Sequence, residues 1–329
     1  MTTATIETTR LGMTDIEVSR IAFGTWQLGG DWGRFDEQEA TRAIRYAHAL
    51  GINLFDTAQA YGFGASERLL GRALRDELDH RRGEVVIATK GGLRMTGDEI
   101  VRDSSPEWLR DGVEGSLEAL GVDYIDLYQV HWPDSRTPFA ETAAALQELV
   151  DEGKIRHVGV SNFSTEQMAE FAATRPVETL QPPYHLFRRD IEAEVLPYAL
   201  EKDIGVLIYG PLAHGLLTGA FDETATFPSD DWRSQTPLFQ GEALRRNVAK
   251  VRELERFAQA RDHTVGQLAT AWTLARPGVD VAIVGSRRAA HIEEAVGALE
   301  LGLSDEDLDA IDRIMEGAAI VPGPSPEST

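Results

Sequence analysis

The chain has 329 residues, with 32 lysines and arginines against 54 aspartates and glutamates, for a formal net charge of −22. That balance argues against nucleic acid or an anionic membrane surface as the main partner, since both select for basic patches. There is no cysteine, which rules out disulfides, thiolate nucleophiles, iron–sulfur clusters and zinc–thiolate sites. No run approaches the roughly 18 consecutive apolar residues of a membrane span, and Met1 to Thr9 is polar without a hydrophobic signal region. The expectation is a cytoplasmic protein. Only four of the 32 basic residues are lysines (Lys90, Lys154, Lys202 and Lys250), which leaves 28 arginines. High-salt adaptation and a GC-rich codon usage both produce such a bias. Against it, a lysine at the end of a buried-looking strand, as Lys90 is, stands out.

In chain order, a hairpin over Arg10 to Ser19 comes first and reads as a plug across the bottom of a barrel. Eight short apolar runs follow, alternating with amphipathic stretches. The runs are Ile21 to Gly24, Asn53 to Asp56, Val85 to Lys90, Ile125 to His131, His157 to Ser161, Glu178 to Gln181, Gly205 to Tyr209 and Val281 to Gly285. Helices are expected over Glu37 to Leu50, Ser66 to Leu78, Pro106 to Leu120, Pro138 to Asp151, Thr165 to Ala173 and Ile191 to Lys202. Three more cover Glu242 to Ala260, Val265 to Ala275 and His291 to Leu299, and one more falls in the segment from Ser304. Strands apolar on both faces and separated by helices predict an α/β fold, a (β/α)8 TIM barrel, with a doubly wound open sheet as the alternative. The chain reads as one domain over 1–329, with a core of about 11–301 and a flexible tail over 317–329. The segment Pro211 to Gln240, after strand seven, is a long loop of the kind that usually serves function.

In such a barrel the active site lies at the carboxyl ends of the strands. Here those ends are polar: Asp56 on strand two, Lys90 on three, His131 on four, Ser161-Asn162 on five, Gln181 on six and Tyr209 on seven. Tyr61 follows Asp56 by five residues. A phenol titrates near about 10, an ammonium beside it stabilises the phenolate, and a carboxylate keeps that ammonium charged and placed. Tyr61 would then be a proton donor tuned by Lys90 and Asp56, with His131 donating to a substrate oxygen or relaying the proton. No nucleophile elbow and no His-x-His or His-Glu-x-x-His spacing is present. An acid without a nucleophile or metal implies that a bound reductant supplies electrons.

Asp56-Thr57-Ala58, Tyr61-Gly62, Ser66-Glu67, Lys90, His131, Gly159 to Phe163 and Gly215 to Gly219 together resemble the aldo-keto reductases. The likeness runs from about Leu11 to Leu301. It implies a barrel that binds a nicotinamide cofactor, usually NADPH, without a dinucleotide fold, with NADH as the other possibility. It also implies a small-molecule aldehyde or ketone as substrate. Asp56, Tyr61, Lys90 and His131 become the catalytic tetrad, with Tyr61 protonating the carbonyl oxygen as hydride arrives at carbon. Ser161, Asn162 and Gln181 would bond the nicotinamide carboxamide and Tyr209 would stack on the ring. Gly24, Thr25 and Trp26 would border the cofactor, and Gly210, Pro211, Leu212, Gly215 and Leu217 would fold over the pyrophosphate.

At the adenosine end the resemblance brings in Gly285, Ser286, Arg287, His291 and Glu294, while Ala295 replaces the family's Asn. Two adjacent arginines, Arg287 and Arg288, in so acidic a chain favour a 2′-phosphate; the alternative is that they solvate a helix start. Trp26 and Trp132 would wall the substrate side beside Tyr61, with Trp232 a further candidate, and packing in the upper barrel is the other use for such rings. The functional expectation is NADPH-dependent carbonyl reduction. Two alternatives are a cofactor-binding regulatory subunit of the same superfamily and a metal-dependent barrel hydrolase.

Overall fold

The computed structural model describes residues 6–30, 35–97, 99–228 and 231–320. Eight strands form a closed barrel: β1 (Ile21–Gly24), β2 (Leu54–Asp56), β3 (Val86–Gly91), β4 (Ile125–Val130), β5 (Ile155–Ser161), β6 (Thr179–Gln181), β7 (Gly205–Tyr209) and β8 (Val281–Gly285). Every neighbouring pair is parallel, and β8 closes on β1 with Ile283 opposite Ala22. The open-sheet alternative is thereby excluded. Alternation along each strand sorts the side chains. Ala22, Leu54, Val86, Ala88, Leu127, Leu207, Val281 and Ile283 pack together inside the barrel. Ile21, Phe23, Phe55 and Ile87 face outward and pack in the larger cluster under the helices.

The expected hairpin is present, with strands Thr8–Arg10 and Glu17–Ser19 paired antiparallel. Leu11 and Val18, both fully buried, join the interior cluster and close the barrel bottom. Gly12 is required there: with φ +53°, a Cβ on it would lie 2.1 Å from the Gly205 nitrogen. The hairpin is also tied down by His157 of β5, whose Nδ1 is 2.7 Å from Glu178 Oε1 and whose Nε2 is 2.8 Å from Asp15 Oδ1. Burial works against the charged ring, but Glu178 and Asp15 outweigh it and raise the His157 pKa above 6.5. A raised imidazole stabilises the fold below the unfolded-state value and loses that contribution as pH climbs through the folded-state one. The melting-temperature gap between wild type and His157→Leu is therefore expected to be largest at pH 6 and to shrink by pH 9. A gap constant over that range would count against it.

Helix boundaries follow local chemistry. Ser105 caps Pro106–Leu120 by accepting from the Trp108 N–H, and Gly121 ends it at φ +68°. Two expected helices are broken. The stretch 66–78 divides into Ala65–Ala73 and Arg75–His80, because Leu74 leaves helical backbone at ψ 20°. Arg75 there donates to the carbonyls of Leu120 and Gly121 on a neighbouring helix. The stretch 191–202 becomes a turn, Asp190–Glu192, and a helix, Val195–Glu201. Starting at Val195 puts Pro197 in the first turn, where its missing N–H is harmless. A second hairpin, Leu93–Thr96 with Glu99–Arg102, follows β3 and has no place in the repeat read from the sequence. The long loop after β7 carries three 3-10 turns, Ala213–Thr218, Trp232–Gln235 and Pro237–Phe239. Of the tail expected to be flexible, 321–329 lie outside the described residues. Among the described residues no helix is long and apolar enough to cross a membrane.

Candidate active site

The inward parity that packs the barrel interior continues to its carboxyl end. Counting by twos from Ala22, Leu54, Val86, Leu127, Leu207 and Val281 arrives at Gly24, Asp56, Lys90, His131, Tyr209 and Gly285. These residues therefore face one opening. Lys90 is 1% exposed, and its three protons are all committed: to Asp56 Oδ1 at 2.7 Å, Thr57 O at 2.9 Å and the Tyr61 hydroxyl at 3.4 Å. The second oxygen of Asp56 accepts from Gln181 Nε2 at 2.8 Å. The loop carrying Tyr61 extends the pairing of β2 with β3, through Thr57 N to Ala88 O and Gln59 N to Lys90 O, which turns the phenol back onto Lys90. Gly62, at φ +62°, passes so close to Gly29 that a Cβ would sit 2.3 Å from the Gly29 oxygen.

His131 meets the Tyr61 ring edge to face at 5.8 Å. Burial first, and then the Lys90 ammonium, hold its pKa well below the ordinary imidazole range, so the ring is neutral. Its Nδ1 is buried with no hydrogen-bond partner. Asn162 adopts a left-handed backbone at φ +63°, which Asn tolerates better than most residues. Its side chain donates to His131 O at 3.2 Å and Ser161 Oγ at 3.0 Å, and accepts from the Tyr209 hydroxyl at 2.9 Å. The ends of β4, β5 and β7 are thus joined by one amide.

A cavity of about 640 Å³ opens over this floor, within the range of pockets that hold cofactors and small ligands. Its lining includes Asp56, Tyr61, His131, Trp132 and Trp26, together with Ser161, Asn162, Gln181 and Tyr209. Gly24, Gly210, Pro211, Leu212 and Gly215 also line it, as do Gly285, Arg287, Arg288, His291 and Glu294 from β8 and the segment after it. Four expected residues, and the further candidate Trp232, do not line it. Lys90 lies beneath Tyr61. The Thr25 hydroxyl donates to Asp56 O and accepts from Ser66. Leu217 is fully buried. Ser286 closes a turn on Arg288, accepting from its N–H and donating to its carbonyl. Arg287 donates to Gln27 O at 3.3 Å, Arg288 lies 3.6 Å from Glu39, and Glu294 accepts from the Thr264 hydroxyl at 2.8 Å.

Gln27, His214 and Arg233 also line the cavity and escaped the sequence reading. His214 lies inside the glycine-rich loop already singled out. Ala213 and His214 are left-handed at φ +47° and +55°, ahead of Gly215 at +98°, strain of a kind that collects at ligand-contacting turns. Burial, followed by Arg188 and Arg233, lowers the His214 pKa to about 4. Trp132 is held by the hairpin after β3, with the Arg102 guanidinium 4.9 Å from its ring centre. Among the described residues no group of three or more His, Asp or Glu side chains could hold a metal ion.

Comparison with known proteins identifies the family and agrees with the fold. Residues 20–316 match the Aldo/keto reductase family. The chain is 44% identical over 313 residues to the aldo-keto reductase YhdN of Bacillus subtilis, covering 94% of each. It is 36% identical over 313 residues to an NADH-specific methylglyoxal reductase of Escherichia coli, covering 90% of this chain and 94% of that one. Among solved structures, the glycerol dehydrogenase AKR11B4 from Gluconobacter oxydans has a TM-score of 0.89 at 41% identity over 98% of both chains. The chain belongs to the aldo/keto reductase family and is an NAD(P)H-dependent oxidoreductase acting on carbonyl groups.

Proposed function

We propose that the protein reduces an aldehyde or ketone to the alcohol with NADPH, and that Tyr61 is the general acid. The observation that carries this reading is the Lys90 ammonium, buried and shared between Asp56 and the Tyr61 hydroxyl. When bound, the reduced nicotinamide supplies the hydride. Tyr61 gives its proton to the carbonyl oxygen, and the ammonium stabilises the phenolate left behind. Asp56 and Thr57 O keep that ammonium in place. His131, neutral and set edge to face against the Tyr61 ring, would donate a hydrogen bond to the same substrate oxygen. A binding subunit without turnover has no use for this arrangement, so the regulatory alternative gains nothing from it. Oxidation of NADPH, followed by absorbance across a panel of aldehydes and ketones, tests the reading; no turnover with any of them would sink it.

The cavity suits a nicotinamide dinucleotide. Gln181 donates to Asp56 and keeps its carbonyl oxygen for a carboxamide N–H, with Asn162 and Ser161 beside it and the Tyr209 ring at the base. Arg287, Arg288 and His291 line the cavity in a chain of net charge −22, which supports a phosphate beside them. One relative is by name NADH-specific, so the preference needs its own measurement. NADPH is expected to bind about tenfold tighter than NADH, roughly one charge-assisted contact, and Arg287→Ala to remove most of that difference. Equal wild-type affinities for the two cofactors would overturn the assignment.

A further inference from the structure

The long loop after β7 carries a tryptophan that no motif explains. Trp232 opens the turn Trp232–Gln235, and the segment around it is fixed from several sides. Asp231 accepts from the Arg233 backbone N–H at 3.0 Å and pairs with its guanidinium at 2.6 Å. That guanidinium lies 4.6 Å from the Phe227 ring centre. Phe227 in turn meets Phe221 and Phe239 edge to face at 5.3 and 5.2 Å. The loop thus has a small aromatic core of its own, which holds Trp232 in one place.

Held there, Trp232 touches two residues of the cavity wall. Its ring stacks on Trp26 with centres 6.4 Å apart and planes 27° apart, and meets His214 edge-on at 4.7 Å. Trp26 and His214 also meet each other, at 6.5 Å. Both line the cavity that contains Tyr61 and His131. Each sits in a short 3-10 turn, Trp26–Leu28 and Ala213–Thr218, and His214 also meets His185 edge to face at 6.2 Å. An indole in the wall offers a flat apolar substrate an aromatic contact, and Trp232 is the ring stacked against it.

We propose that Trp232 is a positioning residue that sets substrate selectivity: by holding Trp26 and His214 as one wall, it favours planar aryl aldehydes over compact hydroxylated carbonyls such as glyceraldehyde. The inference rests on the carbonyl-reductase reading above. The test uses the full chain as wild type, Trp232→Ala and Trp232→Phe. It measures kcat/KM for 4-nitrobenzaldehyde and glyceraldehyde, and calorimetric binding of 4-nitrobenzamide, a planar analogue that is not reduced.

Trp232→Ala is expected to lower the aryl-to-glyceraldehyde ratio about tenfold, through KM, and to weaken 4-nitrobenzamide equally, the upper end of what one aromatic pair contributes. Trp232→Phe keeps a stacking ring and is expected to stay within about threefold of wild type. An equal fall for both aldehydes, or unchanged 4-nitrobenzamide binding in Trp232→Ala, overturns the proposal. So does a matching loss of NADPH affinity, which would assign Trp232 to the cofactor. A wild type that reduces neither aldehyde sinks the reductase reading, and calorimetry then still decides about Trp232.

Discussion

Replacing Tyr61 by phenylalanine is expected to lower kcat by about 10²- to 10⁴-fold, the range that a positioned general acid contributes, while NADPH affinity stays at the wild-type value. The change removes one oxygen. Lys90 keeps Asp56 Oδ1 and Thr57 O as acceptors at 2.7 and 2.9 Å, so the buried ammonium does not lose its charge partner. The loop path is set by the backbone pairing of Thr57 and Gln59 with β3, which the variant retains. What disappears is the proton aimed at the substrate oxygen and the phenolate that the ammonium would stabilise. Stopped-flow measurement of the hydride step, with cofactor affinity measured separately, checks this. A variant that keeps more than a tenth of wild-type kcat would move the acid role to another group, with His131 next in line.

Much of this site was legible because it obeys a local rule. Alternation along a strand fixes which side chains face inward, and the strand ends could be found from short apolar runs. Asp56, Lys90, His131, Gln181 and Tyr209 therefore emerged as a set before any contact was known; in the structure Asp56, His131, Gln181 and Tyr209 line one cavity, with Lys90 buried against Asp56. What the residues then do for one another was less legible. Gln181 donates to Asp56 across 125 residues, and no spacing in the chain announces that bond. The hairpin after β3 was hidden for another reason. Its strands are four residues each and alternate only weakly, so the stretch between the third run and the helix at Pro106 carried no assigned element. Pro197 did carry a usable signal for where its helix starts. The partnership of Trp232 with Trp26 and His214 carried none, since the rings come from three places in a loop-rich region without periodicity.

The second large effect concerns stability as well as rate. Lys90→Met removes a cation from a site where both partners are nearly inaccessible, Lys90 at 1% and Asp56 at 3% exposure. Asp56 is then left buried, with Gln181 Nε2 as its remaining side-chain donor. Breaking a buried pair from one side costs about 3–5 kcal/mol, because the uncompensated charge stays behind. Lys90→Met is expected to unfold at markedly lower urea concentration than wild type and to be nearly inactive. Adding Asp56→Asn to that variant removes the stranded charge and keeps an acceptor for Gln181. The double variant should therefore regain most of the lost stability, while turnover stays absent because nothing then stabilises the Tyr61 phenolate. The two measurements would separate the roles: on the proposed mechanism the ion pair is needed for the reaction, whereas the fold is expected to need only that neither charge be buried alone. Equal urea midpoints for wild type and Lys90→Met would show that water reaches Asp56 in solution, and recovery of turnover in the double variant would remove Lys90 from the proton transfer.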